Sequence, residues 1–156
     1  MKIVDVEDNI EGMEDGEWFR WRGVDVRLRC LKSKRVRSAM DAAGLLRRSS
    51  AGNWNDHDER EVDKIIANDV IVEWGKGERG FQTSDGRDVE RTPEVALNLV
   101  RNPKLQSFRD WAYSTAGSVD AFWRARFTPL EQRAEEHAGN WSRSSSSISS
   151  SGRTKS

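Results

Sequence analysis

VIVEWGKGERGFQTSDGRDVERTPEVALNLVRNPKLQSFRDWAYSTAGSVDAFW, residues Val70 to Trp123, decides the fold class. An apolar segment ends in Trp74, and Gly75, Gly77, Gly80 and Gly86 then mark a connection that contains the turn signal Asp85-Gly86. Thr92-Pro93-Glu94 is an N-cap followed by Pro at the first helical position, and Asn102-Pro103 repeats the device. The first helix so started carries Val95, Leu97, Leu99 and Val100. The second carries Leu105, Phe108, Trp111, Ala112, Val119, Phe122 and Trp123, a broad apolar face interrupted at Gly117. That face exceeds what two short neighbouring helices can cover, so part of it is expected to stay open as a groove.

Upstream, Val62, Ile65, Ile66, Val70 and Trp74 follow a helical period, which predicts a helix opened by Asp56 or Asp58 and ended by Gly75. Ser33 is the expected N-cap of another helix reaching about Arg48, weakened at Gly44. Before it, Val24, Val26, Leu28 and Cys30 alternate with Asp25, Arg27 and Arg29. Gly23 separates this run from Glu17–Arg22, so the pair reads as a hairpin. Thr128-Pro129 starts a last polar helix to about Gly139.

The expected fold class is therefore α+β: mostly α-helical, with a short N-terminal antiparallel β-hairpin and a disordered C-terminal tail. Residues 1–16 read as an acidic arm, 17–140 as a single folded domain and 141–156 as a disordered Ser-rich tail. With 156 residues, 35% hydrophobic and 33% charged, the chain has room for one modest core. Seven Trp and five Phe nevertheless require a folded middle, because aromatics bury the most area per residue.

Net charge is zero but segregated. Met1–Asp15 holds Lys2 against Asp5, Glu7, Asp8, Glu11, Glu14 and Asp15, whereas Arg20–Arg48 holds ten bases against Asp25 and Asp41. Such a chain can fold its acidic lead over its basic segment, bind like subunits, or attract an acidic partner. Cys30 is the single cysteine, which removes a disulfide framework and reads as a small side chain on a strand. The start MKIVDVEDNI has no apolar signal region and no stretch nears the roughly 18 apolar residues of a membrane span. A cytosolic protein without a membrane partner is expected.

No catalytic, cofactor or metal set emerges. His57 lies among Asn55, Asp56, Asp58 and Glu59, acids that a helix N-terminus favours in any case. GKGERG lacks both the strand-before-helix order of a dinucleotide fingerprint and the G-K-[ST] of a phosphate loop. The run RLRCLKSKRVR, by contrast, supplies Arg27, Arg29, Lys32, Lys34, Arg35 and Arg37 beside Trp18, Phe19 and Trp21. Interleaved bases and aromatics are what single-stranded nucleic acid binding uses, so a small basic-patch nucleic-acid-binding accessory protein is the alternative function.

Taken in order, several segments resemble one family. They are the acidic lead with Glu17-Trp18, VDVRLRCLKSKRVRSAM (24–40), Val72-Glu73-Trp74-Gly75, Asp85-Gly86, Thr92-Pro93-Glu94-Val95-Ala96, the Asn102-Pro103 helix through Phe122-Trp123, and RAEEHAGNW (133–141). Their succession, over roughly residues 5–141, resembles the tail assembly chaperones of long-tailed bacteriophages and prophages. The resemblance implies a non-enzymatic role that needs no cofactor: binding the apolar, helical tape measure protein, keeping it soluble and helping recruit tail tube protein subunits. It implies an oligomeric protein of the host bacterial cytoplasm, absent from the mature virion. On this reading Trp74, Phe108, Trp111, Phe122 and Trp123 are the expected protein-binding residues, and nucleic acid is not expected as a partner.

Overall fold

The computed structural model describes residues 2–50 and 54–132. The fold is α+β, mostly helical, with a small antiparallel sheet in the order β1-β2-β3. A 3₁₀ turn at Ile3–Asp5 leads to α1 (Ile10–Asp15), then to β1 (Glu17–Trp21) and β2 (Val24–Leu28). Next come α2 (Lys34–Ala42), α3 (Leu45–Ser50), α4 (Asp56–Ile65) with a π turn over Ile66–Val70, and β3 (Ile71–Trp74). A glycine-rich loop leads to α5 (Pro93–Arg101), followed by α6 (Gln106–Ala116) and α7 (Val119–Arg124).

The hairpin forms as the alternation predicts. Glu17 pairs with Leu28 and Trp21 with Val24. Its two-residue turn puts Arg22 at φ 48° and Gly23 at φ 84°, the positive pair that matches the twist of the flanking strands. Val26 and Leu28 point into the core together with Phe19 of β1. The hairpin is not strictly N-terminal, however, because α1 precedes it. Nor is the acidic lead a separate arm throughout. Met13 is buried, and the Asn9 side-chain amide donates to Glu17 Oε2 (2.7 Å) and to the Phe122 carbonyl (3.1 Å). Residues 9–16 thus belong to the fold.

Local capping signals place the helix starts. Ser33 Oγ accepts from the Val36 amide (3.3 Å) and Thr92 Oγ1 from the Val95 amide (3.1 Å). Asn55 and Asp58 form a reciprocal capping box, with Asp58 buried. The expected Ser33–Arg48 helix is broken instead into α2 and α3 by Gly44 at φ 73°.

The helical stripe through Trp74 is corrected as well. Val62, Ile65, Ile66 and Val70 do face the core, yet the chain leaves helix at Ile71 and Trp74 lies on β3. The β-branched run Val70-Ile71-Val72 suits a strand, and its backbone finds partners on β2, with Ile71 opposite Leu28 and Trp74 opposite Val26. The Asn102-Pro103 device starts only a 3₁₀ turn, and the aromatic helix is two helices divided at Gly117-Ser118. The last helix begins at Leu130; its continuation and the Ser-rich tail 141–156 lie outside the described residues.

Candidate functional site

The aromatic side chains expected to bind a partner are, for the most part, core. Phe108 is fully buried, with ring centroids of Trp21 at 5.0 Å, Phe81 at 5.3 Å and Trp111 at 6.0 Å. Phe122 is fully buried against Phe19 (5.2 Å). Trp74 packs edge-on against Phe81 (5.1 Å) and donates its indole N–H to the Val89 carbonyl (2.7 Å). Trp111, at 5% exposure, is equally enclosed. The expected open groove on α6 is absent because β1 and the loop before α5 bring Trp21 and Phe81 over it. No sequence-local count of helix faces includes those two rings.

Trp123 is the exception. It is half-buried and joins Val6, Asp8, Val119 and Asp120 around an open cleft of ≈ 430 Å³. Its ring meets Phe127 at 5.2 Å. Position comes from both sides of the cleft: Ser118 caps α7 by accepting from the Ala121 amide (3.1 Å), and Asn9 ties the lead to the end of Phe122. Arg126 adds a hydrogen bond to the Glu7 carbonyl.

Most of the exposed large hydrophobics of the described residues sit on the lead that supplies one wall of this cleft. The large hydrophobics that remain exposed are Ile3, Val4, Val6, Ile10 and Phe127; of these Val6 lines the cleft and Phe127 packs on Trp123. All but Phe127 come from the lead. Sequence reasoning passed over them because IVDVEDNI reads as an acidic solvated arm. The available signal was four large apolar residues in a segment too short to bury them alone.

The basic residues divide between the sheet and the exposed start of α2. Arg27 pairs with Glu73 (3.0 Å) across the sheet, and Arg35 pairs with Asp69 (2.9 Å). Arg29 donates to the carbonyls of Glu14 (2.8 Å) and Asp69 (2.6 Å), and burial lowers its pKa from the ordinary arginine value. Arg91 donates likewise to the Ala67 carbonyl (2.5 Å), and burial lowers its pKa too. At Asp69 and Ala67 these two guanidinium groups satisfy carbonyls freed where the π turn hands over to β3, and through Glu14 Arg29 ties the same point to the end of α1. Lys32, Lys34 and Arg37 stay exposed at α2, whose first turn holds the Glu14 carboxylate on the Lys34 amide (3.0 Å). Of the rings beside the basic run, Phe19 is buried against Phe122, Trp21 is half-buried on Phe108 and Trp111, and Trp18 is half-buried opposite Arg27 in the sheet.

Other motifs resolve into local structure. The acids around His57 cap α4. In the glycine loop, a Cβ on Gly80 would stand 2.1 Å from the Gly75 carbonyl oxygen, so the loop is a tight backbone packing rather than a cradle. Asp85-Gly86 is a turn in which the Thr83 amide donates to the Arg87 carbonyl (2.8 Å). Among the described residues no group of three or more His, Cys, Asp or Glu could hold a metal, and no helix is long and apolar enough to cross a membrane. Comparison with protein-family models, with curated proteins and with solved structures finds no match for the chain.

Proposed function

We propose that this chain is a non-catalytic tail assembly chaperone of a phage or prophage. It binds the apolar helical tape measure protein, keeps it soluble and helps recruit tail tube subunits. On this reading it works as a homo-oligomer in the host bacterial cytoplasm and is left out of the mature virion. The observation that carries the proposal is the exposed set Ile3, Val4, Val6 and Ile10 on the lead, with Val6 in the Trp123 cleft and exposed Phe127 against Trp123. Single exposed hydrophobics are normal on any protein, but four within residues 3–10 argue for an interaction surface. A client-holding protein needs such a surface on an otherwise highly charged, soluble body.

The order of segments resembling the tail chaperones supports the same reading. The contact residues differ from those the aromatic helix suggested: Trp123 stays, while Trp74, Phe108, Trp111 and Phe122 serve the core.

The test is co-expression with the tape measure protein of the same phage or prophage, followed by co-purification at low and high salt. The expected result is a soluble client that co-elutes even at high salt. A client left insoluble, with nucleic acid bound to the protein and stripped by salt, would sink the proposal and point to the exposed bases Lys32, Lys34 and Arg37.

A further inference from the structure

Resting on that protein-binding reading, we infer that the occupant of the Trp123 cleft is an amphipathic helix whose apolar stripe is flanked by Lys or Arg. The cleft has an apolar floor of Val6, Val119 and Trp123 and two carboxylates, Asp8 and Asp120, in its lining. A floor of this kind takes the successive anchors of one helix face. Its surroundings are acidic. Asp5, Glu7, Asp8 and Glu11 lie on the same lead as Ile3, Val4, Val6 and Ile10, with Lys2 as the single base before Asn9. The nearby cations stay exposed but are engaged: Arg124 pairs with Asp120 (3.0 Å), which leaves Asp8 as the unshared carboxylate of the lining, while Arg126 bonds the Glu7 carbonyl and lies over the Phe127 ring (5.2 Å). A helix edged with Lys or Arg meets this rim favourably, whereas one edged with Glu or Asp meets like charge.

Two other occupants fit less well. A second copy of this chain offers the exposed bases Lys32, Lys34 and Arg37, but α2 carries no exposed large hydrophobic to fill the floor. A bilayer surface is disfavoured because its anionic lipids would meet the carboxylates of the lead.

The probes are two synthetic helical peptides of about 20 residues with the same Leu stripe at i, i+3, i+4 and i+7 spacing. One has Lys along both edges of the stripe and the other has Glu. Each is titrated calorimetrically into the full chain. The Lys-edged peptide should bind roughly five- to tenfold more tightly, since each exposed ion pair is worth a few tenths to one kcal/mol. Asp8→Asn with Asp120→Asn should bring the two peptides level, and Val6→Asp should abolish binding of both. Arg37→Glu, on α2, should change neither.

Equal or reversed preference overturns the inference. So does binding that survives Val6→Asp. If neither peptide binds and Val6→Asp converts an oligomer into a monomer, a second copy occupies the cleft and the inference falls. The tape measure co-purification is read separately. A client still held by the Val6→Asp variant keeps the chaperone proposal and removes this cleft from it, whereas a client never held by the wild-type chain removes the chaperone proposal itself.

Discussion

Cys30 is fully buried just beyond β2, and burial raises its thiol pKa above the ordinary value. A raised folded pKa means that folding favours the neutral thiol. That contribution is complete below the ordinary thiol range and is lost as pH climbs from there through the folded value. Urea stability should therefore decline at alkaline pH, and Cys30→Ala should make the decline shallower. Burial raises the Tyr113 pKa in the same sense, so a residual decline should persist at higher pH in that variant. Phe108 tests packing. Phe108→Ala should cost about 3–5 kcal/mol, a large share of the roughly 5–15 kcal/mol available to a domain. Denaturant unfolding measures it, and a loss under about 1 kcal/mol would mean that the ring cluster around Phe108 is not core.

At the scale of elements, the handover from α4 to β3 is the least legible step. A continuous helical stripe and a strand both suit VIVEW. The choice falls to the strand because β2 offers backbone partners, including the bond from the Arg29 amide to the Val70 carbonyl (2.8 Å). Arg29 secures this handover from the side, with its guanidinium on the Glu14 and Asp69 carbonyls. Arg29→Ala should leave two carbonyls short of a donor and cost about 1–3 kcal/mol. Amide exchange should accelerate first in β3 and the end of α4; uniform acceleration would instead indicate global destabilisation alone. Its role as a cap takes Arg29 out of the basic run, whose exposed part is Lys32, Lys34, Arg35 and Arg37.

For the molecule as a whole, the division between body and lead decides what can be removed. None of the residues Ile3–Asp8 is buried, whereas Asn9, Gly12 and Met13 hold α1 to the body. A chain lacking residues 2–8 should melt within about 2 °C of the full chain. The same deletion should lose client binding, because it takes Val6 and Asp8 out of the cleft lining. A fall in melting temperature of more than about 10 °C would show the lead to be structural rather than a contact surface.

The sequence by itself determined what depends on residues a few positions apart. The caps at Ser33 and Thr92 did so, as did the alternation Val24-Val26-Leu28 and the turn at Gly23, because each rests on one side chain and its near neighbours in the chain. The α+β class followed from those units. Tertiary structure alone decided which apolar residues are covered. Phe108 and Trp111 exceed what their own helix neighbours can enclose, but Trp21 and Phe81 arrive from distant segments and enclose them. Val6 sits among acids and reads as solvated, yet it borders a cleft that forms only when α7 folds against the lead. Burial is a sum over partners brought from anywhere in the chain, and periodicity reports only the face of the element that carries it.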